Sequence, residues 1–132
     1  MNSVFADTAY YAAIVNSEDE LHERALAFVD LAAPVVTTEF VLLELGNTLT
    51  RGIWRKTFID FLAYLREESA TRILPASSSL LGQGLELFAN RLDKEWSLVD
   101  CTSFAAMQQL GITDALTGDH HFEQAGFKIL LK

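Results

Sequence analysis

Val4-Phe5-Ala6-Asp7 is three apolar residues without a polar alternate, followed at once by an acid. A run of this kind reads as a short strand buried on both faces, with the acid standing where strand gives way to helix. Similar runs recur at Pro34-Val35-Val36, Arg72-Ile73-Leu74, Ser97-Leu98-Val99, Ala115-Leu116 and Lys128-Ile129-Leu130-Leu131. Longer segments with helical spacing lie between most of them. The alternation predicts an α/β fold: a three-layer α/β/α sandwich with a central parallel sheet.

The intervening segments carry their own start and stop signals. Ser17 and Glu20 fit a capping box, predicting a helix through Leu21, Ala25, Phe28 and Val29. Thr38 can cap a helix bearing Val41, Leu42, Leu45 and Leu49, with Arg51 at its end and Gly52 as its stop. Phe58, Phe61, Leu62 and Leu65 space a helix from about Thr57 to Glu68. Two more are expected from Ser79 to Arg91 and from Cys101 to Leu110, the second stopped by Gly111.

Composition bounds the answer. The 132 residues are 50% hydrophobic and include only two prolines, enough for one cored domain over 1–132 and unlike a disordered tail. Ten Lys plus Arg against 18 Asp plus Glu give a net charge of −8, which argues against a broad basic surface but leaves room for a local one. A single cysteine, Cys101, cannot form an internal disulfide. The N-terminus lacks a basic and then apolar leader, and no apolar stretch approaches the roughly 20 residues of a membrane span. A cytoplasmic location, with no membrane contact, is the expectation.

In an open parallel sheet, ligands bind beyond the carboxyl ends of the strands. Asp7, Asp100 and Asp119 each follow an expected strand, and Glu44 lies within the apolar run Val41-Leu42-Leu43-Glu44-Leu45. Singly, an Asp at such a place is an ordinary cap or turn residue, and a glutamate is an ordinary helix former. Together they point to one divalent-metal site. Two carboxylates about 4 Å apart repel by roughly 4 kcal/mol at an effective dielectric near 20, so such a cluster must protonate or bind a hard cation. Magnesium or manganese suits all-oxygen ligands, and can acidify water and stabilise charge on a departing oxygen.

Phe5-Ala6-Asp7-Thr8, Thr37-Thr38-Glu39-Phe40-Val41-Leu42-Leu43-Glu44-Leu45, Ser97-Leu98-Val99-Asp100-Cys101-Thr102-Ser103-Phe104 and Leu116-Thr117-Gly118-Asp119-His120-His121-Phe122, with the trailing Ala125-Gly126-Phe127, resemble in order the blocks of the PIN-domain family. The resemblance is greatest to its VapC-like toxin ribonucleases. It spans nearly the whole chain and implies a metal-dependent endoribonuclease, the toxin of a toxin–antitoxin pair. It also implies a homodimer and a small antitoxin partner. On this resemblance Asp7, Glu44, Asp100 and Asp119 are the catalytic acids: Asp7, Asp100 and Asp119 as metal ligands, and Glu44 as a ligand or as the group that orients water. Ser103 and Thr117 are supporting hydroxyls.

Competing acids are separable. Glu39 lies five residues before Glu44, about 140° away around a helix, so only one of them faces the site. Asp114 precedes its strand whereas Asp119 follows it. Adjacent His120 and His121 suggest zinc only weakly, because neighbouring side chains diverge and no cysteine cluster accompanies them. They read instead as surface, RNA-contacting or helix-start residues. Cys101 reads as a buried small residue, and Gly82-Gln83-Gly84 lacks the lysine of a phosphate loop. Arg51, Trp54, Arg55 and Lys56 form the one tight basic–aromatic group, suited to RNA phosphates and bases or to helix-end charge and a dimer surface. Two rival classes stand beside the nuclease. One is a phosphoacceptor receiver domain, disfavoured because Asp7 has no acidic neighbour and Lys128 is followed by Ile129 rather than proline. The other is a non-catalytic PIN-fold binding module, disfavoured because idle acids would keep their repulsion without benefit.

Overall fold

The computed structural model describes residues 2–30 and 33–132. Five strands, β1 (Val4–Ala6), β2 (Val35–Thr38), β3 (Thr71–Leu74), β4 (Asp114–Leu116) and β5 (Lys128–Ile129), pair in parallel in the order β3-β2-β1-β4-β5. Seven helices complete the described residues: α1 (Thr8–Val15), α2 (His22–Leu26), α3 (Glu39–Thr48), α4 (Ile53–Glu67), α5 (Ser78–Asn90), α6 (Leu98–Leu110) and α7 (His120–Gln124). The helices cover both faces of the sheet, which is why β1 is buried at every position. A receiver-type sheet of order 2-1-3-4-5 is a different topology.

The chain begins in the middle of the sheet, grows outward through β2 and β3, then returns to the other side of β1 with β4 and β5. Direction reverses between β1 and β4, so their carboxyl ends border the crevice where such sheets take ligands. Phe5, Leu45, Phe104, Met107, Leu116 and Phe122 are fully buried around this point. Phe104 stands edge-on to both Trp96 and Phe122, at 5.1 and 4.9 Å between ring centroids. Fully burying side chains of this size contributes roughly 1.5–3 kcal/mol each, and holds α6 and α7 against β1 and β4.

Local departures from the expected elements have local causes. Ser97-Leu98-Val99 is not a strand. Ser97 Oγ accepts the Asp100 N–H at 2.9 Å while the Asp100 carboxylate accepts the Ser97 N–H at 3.1 Å, a reciprocal cap that starts α6 three residues before Cys101. The Ser17–Glu20 box does not form either. Asn16 and Asp19 side chains take the backbone N–H groups of Glu18 and Leu21, turning the chain and leaving only the short α2.

Thr38 caps α3 as expected, accepting the Val41 N–H at 3.1 Å, but α3 ends at Thr48 and Gly52 belongs to the next helix. With φ of +52° Gly52 is the N-cap of α4, and Trp54, Arg55 and Lys56 occupy the first turn of that helix rather than the end of α3. Gly111 stops α6 in the left-handed conformation, φ +69°, with the Ile112 N–H bonding back to Met107 O at 2.9 Å.

Candidate active site

Each acid reaches the crevice from a different element. Asp7 ends β1 and is the N-cap of α1, yet its side chain makes no capping bond; one of its oxygens accepts the Thr117 hydroxyl at 2.9 Å. Thr117, fully buried just past β4, in turn accepts the Asp119 N–H at 3.1 Å. One hydroxyl thus ties the ends of the two central strands together. Asp119 caps α7 through the His121 N–H at 2.9 Å. Glu44, half-buried on α3, accepts a hydrogen bond from the Thr8 hydroxyl at the start of α1.

Asp100 lies not at a strand end but in the first turn of α6, where its carboxylate is held by the Ser97 N–H. His121 Nδ1 stands 3.3 Å from Asp100 Oδ2 and 3.4 Å from Asp119 Oδ1, joining α7 to α6. Ordinary capping therefore does describe Asp100 and Asp119. What it leaves out is their convergence with Asp7.

The electrostatics follow from burial. Asp7 is only 4% exposed. Desolvation is the main cause that pushes its pKa from the usual 3.8 up to about 7, with the nearby Asp100 and Glu44 charges adding to the rise and the Thr117 and Thr8 hydrogen bonds opposing it. Asp100 is also raised, first by burial and then by Asp119, against the pull of the Ser97 N–H and His121. Asp7 thus feels Asp100 and Glu44, and Asp100 feels Asp119, although 93 residues of chain separate Asp7 from Asp100.

This donor set fits a divalent cation. A deeply buried carboxylate with a single side-chain donor among the described residues, its pKa lifted to about 7, is only partly ionised at neutral pH, and an arriving positive charge would favour its ionised form. Ser103, one turn beyond Asp100, is fully buried and its Oγ has no partner among the described residues, a polar atom left over in the same wall of α6.

The remaining expected residues fall elsewhere. Glu39 accepts the Ala76 N–H at 2.7 Å, away from Glu44, and Asp114 begins β4, at the opposite end of the strand from Asp119. Arg51, Trp54, Arg55 and Lys56 are exposed at the α3–α4 corner and make no hydrogen bond to the acids; Lys56 pairs with Asp60, and Arg55 bonds Thr50 O. Cys101 is buried and free, its thiol pushed up by burial.

Thr8 and the two histidines stand closer to the acids than the sequence indicated. Thr8 carried only the weak signal of a hydroxyl beside the first acid. Divergence of adjacent side chains is one reason that the His120-His121 pair suggests zinc only weakly, yet here their rings lie 4.4 Å apart and both Nδ1 atoms approach the Asp119 carboxylate, within a group whose ligand atoms all fall within 4.8 Å.

Comparison with known proteins agrees with this architecture. The PIN domain model matches residues 4–128. The 23S rRNA-specific endonuclease VapC20 of Mycobacterium tuberculosis is 33% identical over 125 residues, 94% of this chain and 95% of that protein. The crystal structure of that sarcin-ricin-loop-cleaving toxin superposes with a TM-score of 0.85 at 31% identity, covering 94% of this chain and 95% of the other. VapBC2 of Rickettsia felis, solved with a promoter DNA fragment, gives a TM-score of 0.69 at 13% identity over 98% and 97% of the two chains. FitAcB of Neisseria gonorrhoeae gives 0.66 at 20% over 98% and 96%. At those identities the last two speak for the fold alone. With its family model matched from β1 into β5 and its acids gathered at the sheet's switch point, the chain belongs to the PIN domain family.

Proposed function

We propose that this protein is a metal-dependent endoribonuclease, the toxin of a toxin–antitoxin pair, and that large-subunit ribosomal RNA is its substrate class, as the name of the VapC20 relative states for that protein. The observation that carries the reading is the Thr117 hydroxyl fixing buried Asp7 beside Asp119 at the β1–β4 crevice. Asp7, Asp100 and Asp119 would hold a magnesium or manganese ion, with Glu44 as a further ligand or as the group that orients the attacking water. When bound, such an ion supplies Lewis acidity, making water more acidic and stabilising charge on the departing oxygen.

The chain's own part is positioning. Thr117 holds the Asp7 carboxylate and the Asp119 backbone, Thr8 fixes Glu44, and the Ser97 cap fixes Asp100. Ser103 offers its buried hydroxyl for orienting a carboxylate or an outer water.

With a net charge of −8, RNA binding needs local cations. Arg51, Arg55 and Lys56, with Trp54 beside them for base stacking, supply these at the exposed Gly52 corner. The acidity also suits capture by a basic segment of an antitoxin. A homodimer and a cytoplasmic location belong to the same reading; among the described residues no helix is long and apolar enough to cross a membrane.

Sequencing RNA ends after induced expression tests the proposal. The native chain should create new ends concentrated in 23S rRNA, and Asp100→Asn should not. Identical end maps for the two chains would overturn it.

A further inference from the structure

We propose that His121 is a positioning residue: its main-chain N–H holds one oxygen of Asp119 and its ring N–H one oxygen of Asp100, leaving the second oxygen of each carboxylate for the ion. This rests on the metal-dependent reading above. The main-chain bond to Asp119 Oδ1 is 2.9 Å, and ring Nδ1 stands 3.3 Å from Asp100 Oδ2. Nδ1 is also 3.4 Å from Asp119 Oδ1, so it faces carboxylate oxygens on both sides. An acceptor nitrogen there would meet two acceptors, so Nδ1 carries the hydrogen and donates it. A hydrogen shared between two oxygens makes each contact longer than a single charge-assisted bond.

The pattern of occupied oxygens carries the argument. Asp100 Oδ2 also accepts the Ser97 N–H at 3.1 Å, so both of this carboxylate's donors among the described residues converge on one oxygen. Asp100 Oδ1 and Asp119 Oδ2 accept no hydrogen bond among the described residues. A carboxylate pinned through one oxygen cannot swing away, yet keeps the other for a ligand's role, which is how neighbouring donors orient ligating groups. Ser97 ties Asp100 only to its own helix. The link to the other acids runs from Asp7 through Thr117 and Asp119 to His121, and the imidazole is its last step, from α7 to α6. Burial pushes the Asp100 carboxyl up, and the His121 contact opposes that rise.

The helix that carries His121 is anchored without this contact. Asp119 caps its start, the Trp96 Nε1–H donates to Gln124 Oε1 at 3.0 Å near its end, and buried Phe122 packs edge-on against Phe104 between them. Removing the imidazole therefore frees Asp100 rather than α7. His120 supplies the control: its side chain is 69% exposed against 22% for His121, and its Nδ1 is 3.7 Å from Asp119 Oδ1.

Manganese titration of the metal-free protein, followed by loss of the free-ion electron paramagnetic resonance signal, reads the carboxylates without RNA. His121→Ala should bind manganese about tenfold more weakly, and His120→Ala should bind as the native chain does. His121→Asn places an amide N–H where Nδ1 stands and should recover binding to within about threefold of native, whereas His121→Gln, whose amide reaches the Nε2 position, should stay near the alanine value. An amide N–H donates but cannot bind an ion, so recovery by Asn reports the hydrogen bond. The Asn and Gln variants decide the matter even if His121→Ala fails to fold by circular dichroism. Native affinity in His121→Ala, or Asn no better than Gln, overturns the assignment while leaving the metal-dependent reading intact. Native protein that binds no manganese overturns both.

Discussion

At the β1–β4 crevice the chain buries charge; where α5 crosses α6 it buries backbone and methyl groups. Asp7 is almost as inaccessible as the core phenylalanines, yet its burial raises its pKa to about 7 and its neighbours are acids. At the other region Gly84 lies so close to Thr102 that an added Cβ would stand 2.6 Å from its Cγ2 and 3.1 Å from its Cα. The first region is electrostatically frustrated and the second is packed to contact. A residue that weakens the fold while being held in place by several hydrogen bonds is explained by chemistry, and a residue that only fits is explained by packing. Substitution separates the two, because the effects on activity and on stability should run in opposite directions.

The largest contrast is expected from Asp7→Asn. The amide keeps the shape and can still accept the Thr117 hydroxyl, but it removes the charge that would hold an ion. RNA cleavage should fall by about a thousandfold or more, equivalent to about 4 kcal/mol of transition-state stabilisation. In chelator, thermal melting at neutral pH should rise rather than fall. A variant that loses activity and also melts lower would mean that Asp7 is a structural residue, and the contrast between the regions would break.

The pH dependence of the metal-free protein sharpens the same point. Asp7 has a folded pKa above its unfolded one, so the unfolded chain releases this proton first as pH rises. Its contribution to stability is fully present below about pH 4 and is lost progressively as pH rises to about 7. Complete ionic isolation would make this loss about 4 kcal/mol, an upper figure because the pocket relaxes. Asp100 shifts in the same direction. Denaturant unfolding of the native chain and of Asp7→Asn from pH 4 to 7.5, in chelator and in manganese, isolates the group. The native-minus-variant difference should decline with pH in chelator and recover at neutral pH in manganese, while a flat difference would contradict the burial argument.

How much of this was legible in the sequence follows the range of the interactions. Val4-Phe5-Ala6-Asp7 and the Thr38 cap are local, and their elements lie where the residues indicated. Ser97-Leu98-Val99 is too short for periodicity to separate strand from helix, and the decisive signal was the Ser-x-x-Asp spacing that makes a reciprocal cap. The first turn of α4 was missed because Ile53–Lys56 is exposed and so carries no apolar spacing. The acids could be nominated one by one from their places after apolar runs. Their joining could not, since the Thr117–Asp7 bond spans 110 residues and only the sheet order brings its ends together. The approach of the adjacent histidines to Asp119 was hidden for a different reason: side-chain divergence is an average, and the short α7 places both rings beside the carboxylate that caps it.

Gly84→Ala is the smallest expected effect and tests the packed region alone. Gly82 and Gly84 both lie inside α5, as the helix expected from Ser79 to Arg91 places them, and only Gly84 faces a neighbour. Elsewhere a glycine-to-alanine change in a helix stabilises by roughly 1 kcal/mol through propensity. At Gly84 the new methyl meets Thr102 side chain and backbone, and because α6 is clamped at one end by the Ser97–Asp100 cap and at the other by Gly111, that helix has little room to retreat. Overpacking of this kind costs about 1–3 kcal/mol, so the net loss should be up to about 2 kcal/mol, seen as a lower denaturant midpoint. Gly82→Ala, with nothing within 4 Å, should instead leave stability unchanged or raise it. The specific activity of the folded Gly84→Ala protein should match the native value if the α5–α6 contact serves packing only. A fall in cleavage without a fall in stability would show that small shifts of α6 travel the two residues from Thr102 to Asp100, so that the packed region also positions the site.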